Sequence, residues 1–177
     1  MERVARQASY RGNSGERGRE DGASDNLDHP REGRAHLERD GSPHVTDAAI
    51  REMLMSAKTI AVIGLSSNRT RASFLVTEYM QRHGYKIIPV NPRETEVLGE
   101  PAVASLDDIR QPVDIVNVFR RPAFVPEVVE QAIRNGARCV WMQQGIEHAA
   151  AARRAEEAGL AVIMDRCIYR DHSRLGV

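Results

Sequence analysis

Aromatic residues are scarce in this 177-residue chain, at 5% with a single tryptophan, and cysteine is scarcer still, at two. Cys139 and Cys167 are too few for a disulfide framework or a four-thiolate metal site. No apolar run approaches the roughly 20 residues that a bilayer-spanning helix needs, so no membrane protein is expected. The opening Met1-Glu2-Arg3-Val4-Ala5-Arg6 runs into polar residues rather than an apolar segment, so no secretory signal is expected either. Net charge is also missing. The 25 basic residues balance 25 acidic ones, which argues against nonspecific nucleic-acid binding as the main task. What these absences leave is a reduced, cytoplasmic, single domain of ordinary size.

Apolar residues are missing locally from residues 1–44, which hold 8 arginines, 9 acidic residues and 6 glycines but only 9 hydrophobic residues. Among the other 133 residues, 64 are hydrophobic. So sparse a segment buries too little apolar surface to offset roughly 1–2 kcal/mol of backbone entropy per ordered residue. The expectation is a disordered tail over 1–44 and one folded domain over 45–177.

From Thr46 onward the chain is rhythmic. Ile50, Met53, Leu54 and Ala57 make one apolar helix face with Thr46 placed to cap it. Five short apolar runs follow: Ile60–Ile63, Ile87–Val90, Ile115–Phe119, Cys139–Met142 and Ala161–Met164. Helical stripes fill the intervals, at Ala72–Met80, Val125–Ile133 and Glu147–Ala158. Three of these strands are each preceded by a helix stopped at a glycine, namely Gly84, Gly136 and Gly159, which suits the left-handed position that ends a helix. Continuous rather than alternating apolar strands mean that both sheet faces are covered, as in a parallel sheet. The pattern predicts a doubly wound α/β fold, a Rossmann-like parallel sheet of about five strands with helices on both faces.

Such sheets bind ligands beyond the carboxyl ends of their strands. The residues there are Gly64 to Ser73, then Asn91-Pro92-Arg93, Arg120-Arg121-Pro122, Gln143-Gln144-Gly145 and Asp165-Arg166-Cys167. The first loop carries small hydroxyl residues and arginines ahead of a helix, a composition that favours an anion. Helix capping by Ser66, Ser67 and Asn68 explains the same residues equally well. No Gly-Lys-Ser/Thr occurs in this loop, so it is not a P-loop, and Ser66 and Arg69 stand where a Gly-x-Gly-x-x-Gly pattern has glycine. After the second strand a cation, Arg93, stands where an NAD site usually has an acid, which suits a phosphorylated ribose as in NADP or coenzyme A.

The blocks Val62–Ser66, Ile88–Pro92, Asp114–Arg120, Val140–Gly145 and Met164–Cys167 resemble the stand-alone CoA-binding domain proteins, in that family's order and from about Ile50 to Leu175. That family is similar in turn to the CoA-binding domain of the succinyl-CoA synthetase α subunit. The resemblance implies coenzyme A or an acyl-CoA as ligand. It implies contacts from Ser66, Ser67, Asn68 and Arg69, from Asn91, Pro92 and Arg93, and from Met142, Gln143 and Gln144. Gly64, Ser73, Val118, Arg120 and Arg166 complete the candidate set. The synthetase has glycines and a small residue where this chain has Ser67-Asn68-Arg69, and its basic residue after the second strand does not align cleanly with Arg93. Its catalysis needs a phosphorylated histidine from another domain, which does not carry over.

The other chemistry-bearing residues form no triad or ligand set by spacing. His83, His148 and His172 read as surface or capping histidines, Asp107-Asp108 as a capped helical turn, and Trp141 as core. Asp114 is placed to orient an arginine. Cys167 reads as a buried structural cysteine, with thiol exchange with CoA beside Arg166 as the alternative. The expected function is therefore a non-catalytic CoA-binding module whose partner is an acyltransferase or ligase. A small NADP-dependent oxidoreductase using the same cleft is the alternative.

Overall fold

A computed structural model describes residues 45–177; the tail expected over 1–44 lies outside the described residues. Helix α1 (Asp47–Ser56) starts where the sequence places it, with Thr46 Oγ1 accepting the Ala49 N–H at 3.2 Å. Strand β1 (Thr59–Ile63), helix α2 (Ala72–Arg82) and strand β2 (Lys86–Val90) form the first β-α-β unit. A two-residue-per-strand hairpin, β3 (Glu96–Val97) and β4 (Glu100–Pro101), and a 3-10 turn at Leu106–Asp108 fill the crossover to β5 (Ile115–Val118). Then come α3 (Val125–Asn135), β6 (Cys139–Met142), α4 (Ala149–Glu157), β7 (Ala161–Ile163) and α5 (Ile168–Leu175).

The five long strands pair in parallel in the order β2-β1-β5-β6-β7. The glycines that follow α2, α3 and α4 all sit at positive φ, as the helix–glycine–strand rhythm requires. The chain leaves β1 toward one edge and returns to its other side at β5, so right-handed crossovers put successive helices on opposite faces. Alternate strand residues divide accordingly. Ala61, Ile63, Val116, Val118, Val140 and Met142 pack with α3 and α4, whereas Ile60, Val62, Ile115 and Trp141 pack with α1, α2 and α5. Every residue of β5 and β6 is buried, so β6 reads as an unbroken apolar run and β5 as one interrupted only by Asn117, whose Oδ1 accepts from Gln143.

At the amino edge, Asp114 ties three strands together. Its Oδ2 accepts the Lys58 and Thr59 N–H groups at 2.8 and 2.9 Å and the Thr59 hydroxyl at 2.9 Å, while Oδ1 accepts Arg138 Nη1 at 3.0 Å. The capped turn at Asp107-Asp108 is present, with Ser105 and Asp108 bonding each other's backbone in a capping box. Trp141 is fully buried, and its indole N–H donates to the Arg166 carbonyl at 2.7 Å.

Of the three histidines, His148 caps α4, its Nδ1 accepting the Ala151 N–H at 3.1 Å, and His83 lies exposed at the end of α2. His172 departs from expectation. It is only 2% exposed, lies within hydrogen-bond distance (3.2 Å) of the Tyr79 hydroxyl, and packs edge-on against Tyr79, His83 and Tyr85. Its neighbours come from α2 and the approach to β2, about which the polar local sequence carries no signal. The hairpin β3–β4 was likewise not expected, since Val97 is its one buried residue.

Candidate functional site

The reversal in strand order between β1 and β5 leaves a crevice at their carboxyl ends, where an α/β sheet holds ligands. Here it opens into a cleft of about 540 Å³ bounded by the segments after β1, β2 and β5. Gly64 begins the first segment at φ +82°, and a Cβ there would lie 3.1 Å from Arg120 Cδ. Glycine thus lets the Arg120 stem lie across the end of β1. The Gly64 N–H donates to the Val90 carbonyl at 2.8 Å and the Phe119 N–H donates to the Ile63 carbonyl at 3.0 Å, so all three strand exits are linked.

The polar residues of the first loop do not cap α2. Ser66 Oγ accepts the Asn68 N–H at 3.2 Å, and Asn68 Oδ1 accepts both the Thr70 N–H and its hydroxyl, at 3.0 and 2.8 Å. The N-cap of α2 is Arg71, which makes no side-chain cap bond. The capping explanation of Ser66, Ser67 and Asn68 is thereby removed, and α2 presents an N-terminus without a side-chain acceptor beside the cleft.

Asn91 is the clasp of the second segment. Its Nδ2 donates to the Leu65 carbonyl at 2.8 Å and its Oδ1 accepts the Arg93 N–H at 3.1 Å. Both ends of the amide are thus committed to backbone, which positions Pro92 and Arg93 on the cleft wall. Glu94 turns back to the first loop, where its Oε1 accepts the Ser67 N–H at 2.9 Å. That bond first, then the Ser67 and Ser66 hydroxyls and the Arg71 charge, hold the Glu94 carboxyl below the usual range against a smaller opposing effect of burial.

The third segment supplies Phe119, Arg120 and Arg121 and then a 3-10 turn, Pro122–Phe124, that leads into α3. The guanidinium carbons of Arg120 and Arg121 lie 4.8 and 5.4 Å from the centre of the Phe124 ring, so one aromatic face steers two cations. Arg71, Arg93, Arg120 and Arg121 face a single acid, Glu94, across the cleft. Among the described residues none of these four arginines forms an ion pair, whereas seven arginines elsewhere do. Four guanidinium groups in one cleft, one of them at a helix N-terminus, can neutralise several phosphate charges.

The profile of a family described as CoA binding domain matches residues 58–173, which covers the whole sheet and every segment of the cleft. The chain belongs to this family. An uncharacterized protein of Bacillus subtilis, YneT, is 47% identical over 126 residues, which is 71% of this chain and 93% of that one. A hypothetical protein from Pyrococcus horikoshii OT3 superposes with a TM-score of 0.73 at 40% identity, covering 76% of this chain and 94% of the other. The ADP-forming acetate–CoA ligase of Methanocaldococcus jannaschii is 25% identical over 81 residues, 46% of this chain but only 12% of the ligase.

In this CoA-binding domain, six of the residues expected at the site line the cleft: Gly64, Ser66, Asn91, Pro92, Arg93 and Arg120. Ser67 and Asn68 form the adjoining loop. The others have different neighbours. Arg69 is 79% exposed, with Nη2 3.7 Å from Glu78 and its guanidinium 5.4 Å from the Phe74 ring centre. Ser73, Val118 and Met142 are buried. Gln143 is buried and donates to Asn117 Oδ1 at 2.8 Å, while Gln144 accepts Arg170 at 3.1 Å. Arg166 is bound by Asp171 at 2.7 and 2.8 Å and by Asp47 at 3.4 Å. The candidate set lacked five cleft residues: Arg71 and Arg121, which lie in the strand-end segments but were not singled out, and Glu94, Phe119 and Phe124. The two arginines had their place beyond the strands as a signal, and Phe124 had one as an aromatic about a helical turn beyond Arg120. Among the described residues no group of three His, Cys, Asp or Glu side chains is arranged to hold a metal ion, and no helix is long and apolar enough to cross a membrane.

Proposed function

We propose that this domain binds coenzyme A or an acyl-CoA in the cleft at the carboxyl ends of β1, β2 and β5, as a non-catalytic module serving an acyltransferase or ligase. The observation that carries this reading is the set of four arginines in one cleft at the reversal in strand order, Arg71 at the uncapped start of α2 and Arg93, Arg120 and Arg121 beside it, none ion-paired among the described residues. Coenzyme A brings a pyrophosphate and a 3′-phosphate to be matched by such cations. The donor set fits: Arg71 stands at the helix N-terminus for the pyrophosphate, and Arg93, held by the Asn91 clasp, stands on the second segment for the adenosine end. Membership of the CoA-binding family supports the ligand, and the partial match to an ADP-forming acetate–CoA ligase supports the kind of partner. Once bound, such a module supplies positioning of the acyl carrier, not bond chemistry.

Calorimetry with CoA, dephospho-CoA and NADP tests the reading. CoA should bind tighter than dephospho-CoA by on the order of 10-fold or more, the worth of one charge-assisted hydrogen bond. Arg93→Glu should remove most of that preference. The comparison belongs at two salt concentrations, because an exposed contact is screened. Equal affinity for CoA and dephospho-CoA in the unmutated protein refutes the role of Arg93. Binding of NADP in preference to CoA refutes the ligand.

A further inference from the structure

Within the cleft, the anion position of the first loop is filled by the chain itself. Glu94 reaches across from the segment after β2, and its Oε1 accepts the Ser67 N–H at 2.9 Å. Both sides of this contact hang on one residue. The Asn91 carbonyl accepts the Glu94 N–H at 3.2 Å, and Asn91 Nδ2 holds the Leu65 carbonyl two residues before Ser67. The contact is therefore built into the loop framework and is not an isolated surface pair. A carboxylate is an acceptor-only anion, the nearest side-chain counterpart of two phosphate oxygens. It shares the cleft with Arg71, the N-cap residue of α2, a helix start that has no side-chain cap bond of its own.

We propose that Glu94 is an internal occupant of the phosphate seat, which a ligand phosphate must displace to bind, so that the side chain braces the first loop and lowers affinity. This rests on the reading of the cleft as a nucleotide site. The Ser67 N–H cannot serve two anions, and a phosphate entering next to Arg71 meets the carboxylate at close range. A ligand with two or more phosphate charges near α2 expels Glu94 more readily than a monoanion does. The arrangement thus selects for a pyrophosphate over a carboxylate or a sulfate monoester.

Calorimetry on the full chain decides, with inorganic pyrophosphate and CoA as separate probes of wild type, Glu94→Gln and Glu94→Ala. Thermal melts establish that each variant is folded. Both variants should bind pyrophosphate and CoA about tenfold tighter or more, one charge-assisted contact being released for the ligand. Unchanged affinities for both probes overturn the proposal while leaving CoA binding intact. Weaker binding in the variants also overturns it and makes Glu94 a direct acceptor of a ligand hydroxyl or amine. Tighter pyrophosphate binding with no CoA binding in any form upholds the internal occupant and refutes the CoA reading. No binding of either probe to any form refutes both.

Discussion

Replacing Asp114 should loosen the edge of the sheet opposite the cleft, because its carboxylate holds the entries of β1, β5 and β6 together. It accepts from two backbone N–H groups, one hydroxyl and one guanidinium. Burial alone would push its pKa up. The Lys58 and Thr59 N–H groups, Arg138 and the Thr59 hydroxyl outweigh that and hold it at about 2 against an ordinary 3.8. A depression of that size corresponds to about 2 kcal/mol in favour of the folded state, and the side chain is only 22% exposed, so screening removes little of it. Because the folded pKa lies below the unfolded one, this stability is fully present above pH 3.8 and is lost as pH falls toward 2.

Asp114→Asn keeps one acceptor oxygen but turns an amide toward Arg138. It should cost about 2 kcal/mol at pH 7, and Asp114→Ala, which leaves the donors without any acceptor, roughly 2–4 kcal/mol. Urea unfolding followed by fluorescence reads the loss directly, since the one tryptophan, Trp141, is fully buried in β6. The gap between wild type and Asp114→Asn should narrow as pH is lowered from 5 toward 2. A gap below about 0.5 kcal/mol at pH 7, the range of an ordinary surface substitution, refutes the argument. So does a gap that is the same at both ends of the pH range. CoA affinity of the folded variant should be unchanged, because Asp114 lies at the far end of the strands from the cleft.

Arg71→Ala and Arg120→Ala should each weaken CoA binding by on the order of 10-fold in calorimetry, while Arg69→Ala, turned toward Glu78, leaves it unaltered; an equal loss at Arg69 overturns this assignment of neighbours. Burial pushes the Cys139 thiol up to about 12, whereas Cys167 is half-buried at the start of α5. Incubation with CoA disulfide followed by mass spectrometry should therefore find any adduct on Cys167, and a label on Cys139 counts against the burial argument. Burial, and then the neighbouring His83 charge, hold His172 below its ordinary 6.5, so the neutral ring's stability is complete above pH 6.5 and declines as pH falls below it. Urea midpoints between pH 7 and 5 should fall more steeply in wild type than in His172→Gln, and parallel slopes contradict the assignment.

The elements that sequence revealed are those whose physical cause is local. β6 is apolar at every position, and β1 and β5 at all but Thr59 and Asn117, because both sheet faces are covered, and Gly84, Gly136 and Gly159 end helices where positive φ is required. The hairpin β3–β4 has no such cause. Its strands are two residues long, and Leu98 adopts φ +57° at the turn, a conformation that a leucine does not advertise. His172 is buried by Tyr79 and Tyr85, residues about ninety positions away, so nothing near it in the chain distinguishes it from a surface histidine.

The site divides along the same line, and charge pairing shows where. Topology alone places the segments after β1, β2 and β5 around one cleft, so Gly64, Asn91, Arg93 and Arg120 could be named from strand order. Which arginines remain available there is a question of competition for carboxylates. Arg166 has Asp171 five residues on, within the first turn of α5, and Arg69 has Glu78 on α2. Both acids are visible in the sequence once each arginine is asked which carboxylate the next helix brings within reach. Arg71, Arg93, Arg120 and Arg121 find no such partner among the described residues. Glu94, the one acid lining the cleft among the described residues, spends its near oxygen on a backbone N–H and forms no ion pair with these four cations. That last step depends on a contact between two loops 27 residues apart, and it is the step that leaves the positive charge of the cleft for a ligand rather than a side chain.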